Sequence, residues 1–287
     1  MLDQAGVPNV IWGWLALGLH TADNGNREIE FVIADKKLDE AKRVLAAAGF
    51  TACTDTSCGE LCEDRFPVEK MAVVFGTMDL ATRGAAMGAA YSFDRYHPVP
   101  AVHYHVQGLP QWAPYELLSL HKQSAQLWWL PELKTDAPAP DDRNLTLTNS
   151  ARLLTGNGRT APFNGPGQYP MKVLLPWAFL EAVILLRCRD YGHMRDLHNL
   201  WRFKLMYFVP HDADVRDKLD PQFKPVWDAL NQRLPAHVWN VHVPLGQLRR
   251  KLIAAGELPD IPTPNKAEKM PGGCEARDHS SGWPGGL

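Results

Sequence analysis

The sequence predicts an α+β protein, in which a mixed β-sheet with flanking helices is followed by a helical subdomain. The stretch REIEFVIAD, residues 27–35, has the pattern of a strand and runs directly into KKLDEAKRVLAAAGF, whose apolar residues recur at helical spacing. The stretch AVHYHV, residues 101–106, alternates in the way that a second strand does. From Pro176 onward the apolar spacing becomes helical.

The composition is that of a globular protein with a sizeable core. The chain has 287 residues, of which 45% are hydrophobic and 22% are charged. The formal net charge of -2 at pH 7 gives no overall basic field, so sequence-independent nucleic-acid binding is not expected. RNA is therefore a partner that the net charge does not support, although a local basic patch remains open.

The apolar run of residues 10–19 is too short to span a bilayer, and no basic segment precedes it. We therefore expect a cytoplasmic protein with no membrane partner. Five cysteines scattered through a long chain do not form the pattern of a disulfide framework.

The elements can be assigned in order along the chain. In VIWGWLALGLH, residues 10–20, the first part predicts a buried strand and a helix is expected to begin near Gly13. A strand at EIEFVIA and a helix that Gly49 ends come next. KMAVVFGTM, residues 70–78, has the pattern of a further strand or a buried turn, and PYELLSLHKQSAQLWWL, residues 114–130, has apolar positions at mixed spacing.

Changes in composition divide the chain into four parts. Residues 1–133 form the α+β domain, and residues 134–170 are a connection rich in Pro, Gly and Asn. Residues 171–258 form the helical subdomain, which begins with a proline at a helix start. Residues 259–287 have the composition of a disordered tail.

The order of GVPNVIWGWLAL, a polar turn, REIEFVIAD, a helix and AAAGF resembles the opening of the nucleotidyltransferase fold. The similarity is to its divergent branch of fungal proteins, which is distantly similar to antitoxin-type and aminoglycoside nucleotidyltransferases. It covers residues 5–50 and extends through HYHV and LWWLPEL to residue 133. The resemblance implies a nucleotidyltransferase-like mixed sheet and metal-dependent transfer of a nucleotide to a small molecule or RNA.

The resemblance also implies a binding turn for the triphosphate. In active members a Gly-Gly or Gly-Ser turn opens the helix, and here Gly13 takes the place of the first glycine. Gly13 would thus bring backbone amides to phosphate. Trp14 stands where the second small residue belongs, and its indole would block the phosphates unless the ring turns outward.

The metal-binding residues are carried over in the same way. Glu28 and Glu30 take the places of the two strand aspartates, and His103 and His105 stand on the strand where the third carboxylate is expected. The resemblance implies that the carboxylates hold a divalent metal, Mg²⁺ or Mn²⁺, while the histidines complete its shell or act as a base. A glutamate carries its carboxylate one methylene further from the backbone than an aspartate does. A metal bound to it is therefore shifted by more than the geometry of Mg²⁺ readily tolerates.

Spacing alone leaves alternatives for both pairs. Residues two apart on a strand point the same way, so Glu28 and Glu30 could be metal ligands or a solvated strand face. If the histidine strand lies beside the glutamate strand, two His and two Glu converge, a set that suits Zn²⁺, Mn²⁺ or Fe²⁺ better than Mg²⁺. Otherwise one histidine is hydrogen-bonded in the core and the other is exposed.

Two further stretches carry weaker signals. Cys53, Cys58 and Cys62 lack the CxxC pairs of a structural zinc site, which favours ordinary loop cysteines. TGNGRTAPFNGPGQ, residues 155–168, lacks the strand and helix that flank a phosphate-binding loop. The basic residues of the helical part predict a solvated face, or else one side of a cleft that holds phosphates: Arg187, Arg189, Arg195, Arg202 and Lys204.

Three functional hypotheses follow. The first is a nucleotidyl transferase acting on a small-molecule substrate with a nucleotide. The second is a catalytically inactive fold used as a binding or accessory protein, which Trp14, the glutamates and the missing third carboxylate favour. The third is a cleft repurposed for unrelated biosynthetic chemistry.

Overall fold

The computed structural model describes residues 1–21, 28–55, 58–61, 97–106, 116–153, 169–191, 197–208, 214–231 and 241–259. In these residues six strands form one mixed sheet: β1 Asn9–Trp12, β2 Glu28–Ile33, β3 Val102–His105, β4 Leu117–Lys122, β5 Leu145–Leu147 and β6 Lys172–Leu174. Their order across the sheet is β3-β4-β2-β1-β6-β5.

Helices flank this sheet and dominate the second half of the described chain. Their bounds are α1 Gly13–His20, α2 Leu38–Ala47, α3 Gln123–Gln126, α4 Pro176–Asp190, α5 Leu197–Phe208, α6 Asp214–Lys218, α7 Lys224–Asn231 and α8 His242–Ala254. The mixed sheet with its helices agrees with the predicted α+β class.

The first strand and helix form where the sequence predicts them. All four residues of β1 are buried, since β1 lies between the antiparallel β2 and the parallel β6. Helix α1 begins directly at Gly13, which has a φ of 65°. The predicted strand followed by a helix near Gly13 is confirmed.

The two faces of the sheet pack against different helices. On one face, Ile33 of β2 and Tyr104 of β3 pack with Leu38 and Leu45 of α2. Helix α2 ends before Gly49, whose φ of 91° is a conformation that glycine adopts readily, as the sequence predicts. On the opposite face, strand β1 packs beneath α1 and α4, and the rings of Trp12 and Phe179 lie 5.3 Å apart.

The sheet extends beyond the predicted α+β domain of residues 1–133. Strand β5 lies in the stretch 134–170 that the sequence predicts to be a loop-rich connection, and β6 lies at the start of the predicted helical subdomain. Strand β6 pairs with β1 through Ile11 and Val173. One hydrophobic core then continues from the sheet into α4, α5, α7 and α8.

Several predictions fall outside the described residues. They concern the strand at KMAVVFGTM, the glycine-rich stretch TGNGRTAPFNGPGQ, the tail from residue 260 onward, and Cys62 and Arg195. Among the residues that are described, no helix is both long and apolar enough to cross a membrane.

The carboxylate of Glu181 joins α4 to two other segments. Its side chain is 3% exposed, and it accepts hydrogen bonds from Arg143 Nη1 and Nη2 at 3.1 and 2.8 Å. The backbone N–H of Asp220 donates to the same group at 2.6 Å. A buried carboxylate needs partners of this kind to offset its lost hydration.

We expect Glu181→Gln to lower the free energy of unfolding by about 2 kcal/mol, because it leaves donors of Arg143 and Asp220 unpaired. Asp228→Asn is the control, since Asp228 also pairs with an arginine, Arg216, but at the surface. Its loss should stay below about 1 kcal/mol. Urea unfolding followed by circular dichroism measures both values, and equal losses would contradict the role given to Glu181.

Candidate metal site and the turn at Gly13

The carboxylate of Glu30 lies against the first turn of α1. Its Oε2 accepts a hydrogen bond from the backbone N–H of Trp14 at 3.0 Å. A Cβ atom at position 13 would lie 1.4 Å from the same oxygen, so only glycine leaves room for the carboxylate. Glu30 thus occupies the position at which the amides of this turn would meet an anion.

Glu30 is buried, with 4% of its surface exposed. Its Oε1 lies 3.5 Å from Nε2 of His121 on β4. Burial raises the pKa of Glu30, but the charge of Lys204, the contact with His121 and the Trp14 N–H outweigh it and lower the pKa to about 2. Glu30 is therefore ionised at neutral pH, and its charge is balanced inside the fold.

Lys204 is the cation that balances Glu30. It lies on α5, is 2% exposed, and its Nζ sits 5.2 Å from the ring centroid of Trp14 and 5.3 Å from that of Trp201. The indole of Trp14 therefore faces this ammonium group. The prediction of a solvated basic face is wrong for Lys204, because the apolar core and the carboxylate of Glu30 together accommodate the side chain.

The glutamate and histidine strands are not neighbours. Glu30 pairs with Ser119 of β4, and Ser119 pairs on its other side with His103 of β3. These three side chains share one face of the sheet, but β4 separates Glu30 from His103 by two strand spacings, roughly 10 Å. The expectation that β3 lies beside β2 is wrong, because strand order depends on long-range pairing that the alternation of residues does not contain. Glu28 is half-buried and pairs with Leu117 of β4, which pairs on its other side with His105 of β3. Glu28 and His105 are therefore also separated by β4.

The two histidines meet two cysteines instead. The ligand atoms of Cys53, Cys58, His103 and His105 all lie within 4.8 Å of one another. Cys58 Sγ is 3.3 Å from His103 Nε2 and 3.6 Å from His105 Nε2. This Cys₂His₂ cluster can hold a metal ion, and the residues give the donor set of a tetrahedral site.

Strand alternation and a short backbone pairing build the cluster. Tyr104 points to the α2 face, so His103 and His105 point to the other one, as predicted. The loop after α2 returns along the edge of β3, where Ala52 bridges Tyr104 and the N–H of Cys53 donates to the carbonyl of His103 at 2.9 Å. The N–H of Cys58 donates to the carbonyl of Asp55 at 3.0 Å.

The pKa values of His103 and Cys58 are shifted in ways that act differently on metal binding. Burial and the neighbouring His105 lower the pKa of His103, so its imidazole is neutral and can coordinate at pH 7. Burial raises the pKa of Cys58, while a hydrogen bond from the backbone N–H of Glu60 acts in the opposite direction. A metal that binds there displaces a proton from the thiol.

The sequence indicated only part of this cluster. His103 and His105 stood out because imidazoles two apart on a strand share a face. Cys53 and Cys58 were interpreted as loop cysteines, although their position just after α2 and their four-residue separation were the available signal. His121, which contacts Glu30, is not among the residues that the sequence indicates, and Lys204 is indicated only as part of a solvated basic face or of a cleft that holds phosphates.

Comparisons with protein family models, with curated proteins and with solved structures gave no significant match to this chain.

We expect Glu30→Gln to destabilise the protein by a few kcal/mol at pH 7, because it removes the buried negative charge that Lys204 stabilises and weakens the contacts with Trp14 and His121. The pKa of Glu30 lies below its ordinary value of 4.5, so its contribution to stability is complete above pH 4.5 and is lost as the pH falls toward 2. The difference between wild type and variant should shrink over that interval in urea unfolding at a series of pH values. The exposed Glu132, changed to Gln, should show no such convergence.

Proposed function

We propose that the protein is a catalytically inactive, nucleotidyltransferase-like binding or accessory protein. One observation carries this proposal: the Glu30 carboxylate accepts the N–H of Trp14 and so fills the turn that would bind a triphosphate. A triphosphate is itself an anion. It would have to displace a buried carboxylate whose charge Lys204 and His121 already stabilise.

The same contacts count against Glu30 as a magnesium ligand. Mg²⁺ requires near-octahedral oxygen ligands at short distances, and the oxygens of Glu30 are engaged by the N–H of Trp14 and by His121. The strand beside β2 offers Ser119 and His121 at the nearest same-face positions, where a third carboxylate would be needed. Two-metal phosphoryl transfer depends on such a cluster of carboxylates.

We further propose that the metal at the Cys₂His₂ cluster is Zn²⁺. Two thiolates and two imidazoles favour zinc over Mg²⁺ or Mn²⁺, which prefer oxygen. Four protein ligands leave no open position for a reacting water, so the site is structural. The metal would fasten the loop of residues 51–61 to the edge strand β3.

Nucleotide binding tests the inactive character of the fold. We expect isothermal titration of the wild-type protein with ATP or CTP, in the presence of Mg²⁺ or Mn²⁺, to show no binding. Glu28→Ala is the matched variant, because Glu28 is the predicted metal ligand that is only half-buried. Nucleotide binding by the wild type that this variant loses would instead support a working nucleotidyl transferase.

Metal analysis tests the zinc site separately. We expect the purified protein to carry about one zinc per chain, and Cys58→Ser or His103→Ala to remove it. Cys188→Ala is the control, since Cys188 is buried in α4 and bonds to helix α8 rather than to the cluster. Mass spectrometry of the metal content and thermal denaturation with and without a chelator measure the effect. Zinc retained by both cluster variants would overturn this assignment.

A further inference from the structure

Arg187 is a buried cation to which the described part of the chain offers no counter-charge. It lies on α4 with 1% of its surface exposed, and its Nε and Nη1 have no hydrogen-bond partner among the described residues. Burial and the repulsion of Arg202 lower the pKa of Arg187 to about 10, so the guanidinium still carries its charge at pH 7. An unpaired buried charge is strongly unfavourable, which makes this arrangement unusual for a purely structural residue.

Other buried charges among the described residues have a group of opposite charge nearby, as Asp190 has Arg189 at 2.6 Å. Glu30 is balanced by Lys204, and Glu181 by Arg143. Lys172, which is also buried, pairs with Asp3 at 2.7 Å. Arg187 instead has a second arginine nearby, the half-buried Arg202 of α5, which adds positive charge and is partly open to solvent.

The groups beside Arg187 also favour an anion. Tyr191 follows Arg187 by one helical turn, and the Tyr191 hydroxyl lies 3.2 Å from Nδ1 of His242. His242 is the first residue of α8, whose first turn contains no acidic residue and whose N-cap, Val241, makes no side-chain hydrogen bond. The positive end of that helix dipole thus lies beside the same tyrosine.

We propose that Arg187 and Arg202, with Tyr191 and His242 beside them, bind the phosphate group of a small molecule. Two guanidinium groups match the double negative charge of a phosphate monoester better than the single charge of a carboxylate. The Nε–H and Nη1–H groups of Arg187, which have no partner among the described residues, can donate hydrogen bonds to phosphate oxygens. This site is independent of the metal cluster and of the loss of nucleotidyl transfer.

The test is titration of the full chain with inorganic phosphate at constant ionic strength, followed by calorimetry and by the thermal unfolding midpoint. We expect phosphate, and not acetate, to bind and to raise the midpoint as ligand linkage requires. Arg202→Gln should weaken phosphate binding at least about tenfold, the loss of one charge-assisted contact. Arg250→Gln, at an exposed arginine of α8, is the matched control and should bind phosphate as the wild type does.

Arg187→Met provides a second readout. Without phosphate it should unfold at the same or a higher temperature than the wild type, since an apolar side chain replaces an unpaired buried charge. Phosphate should no longer shift its midpoint. The proposal is overturned if the wild type responds to phosphate no more than to acetate, or if Arg202→Gln and Arg250→Gln bind phosphate equally. The Arg202 and Arg250 comparison decides alone if Arg187→Met does not fold.

Discussion

The buried carboxylate of Glu30, whose charge Lys204 stabilises, connects the sheet to the helices that cover it. Glu30 belongs to β2, its carboxylate caps α1 at Trp14, and its counter-charge comes from α5. Each partner depends on the others, because a lone charge in this core would lose its hydration without compensation. Gly13 is required by the same contact, since any side chain there would collide with the carboxylate. These contacts of the Glu30 carboxylate are the reason for proposing that the turn at Gly13 does not bind a metal and a nucleotide.

The Cys₂His₂ cluster lies at a different place, at β3 on one side of the described sheet. Strand β3 is the outermost strand of the described sheet on one side, and the described residues after α2 pair with it through the short bridge at Ala52 and the N–H of Cys53. Edge strands expose backbone groups that other chains can pair with, and a covering segment held by few hydrogen bonds opens easily. Coordination by Cys53 and Cys58 from the loop, and by His103 and His105 from the strand, would join the two far more strongly than that bridge.

Local patterns predicted the elements whose signal is contained in one segment, such as β2, α2 and the helix start at Gly13. Strand β4 was not predicted, because Leu118, Ser119, Leu120 and His121 are all buried and a strand buried on both faces shows no alternation. The place of β4 between β2 and β3 is set by long-range pairing, so the separation of Glu30 from His103 had no sequence signal. The sequence predicts that Lys204 and Arg187 are exposed to solvent, because a charged residue on a helix usually is. Both are buried, because tertiary packing covers them.

The buried charges differ in whether the fold supplies a group of opposite charge, and this difference distinguishes Glu30 from Arg187. Where a carboxylate and a cation are buried together, as with Glu30 and Lys204, the fold supplies both members and has no use for an added ion. At Arg187 the fold supplies two cations, and the described residues supply no anion to Nε and Nη1. Such an imbalance lowers stability in the absence of a ligand, and that loss is recovered only when an anion binds. The proposed phosphate site therefore lies in the helical part of the protein, away from the turn at Gly13 where the resemblance to nucleotidyltransferases would put a bound anion.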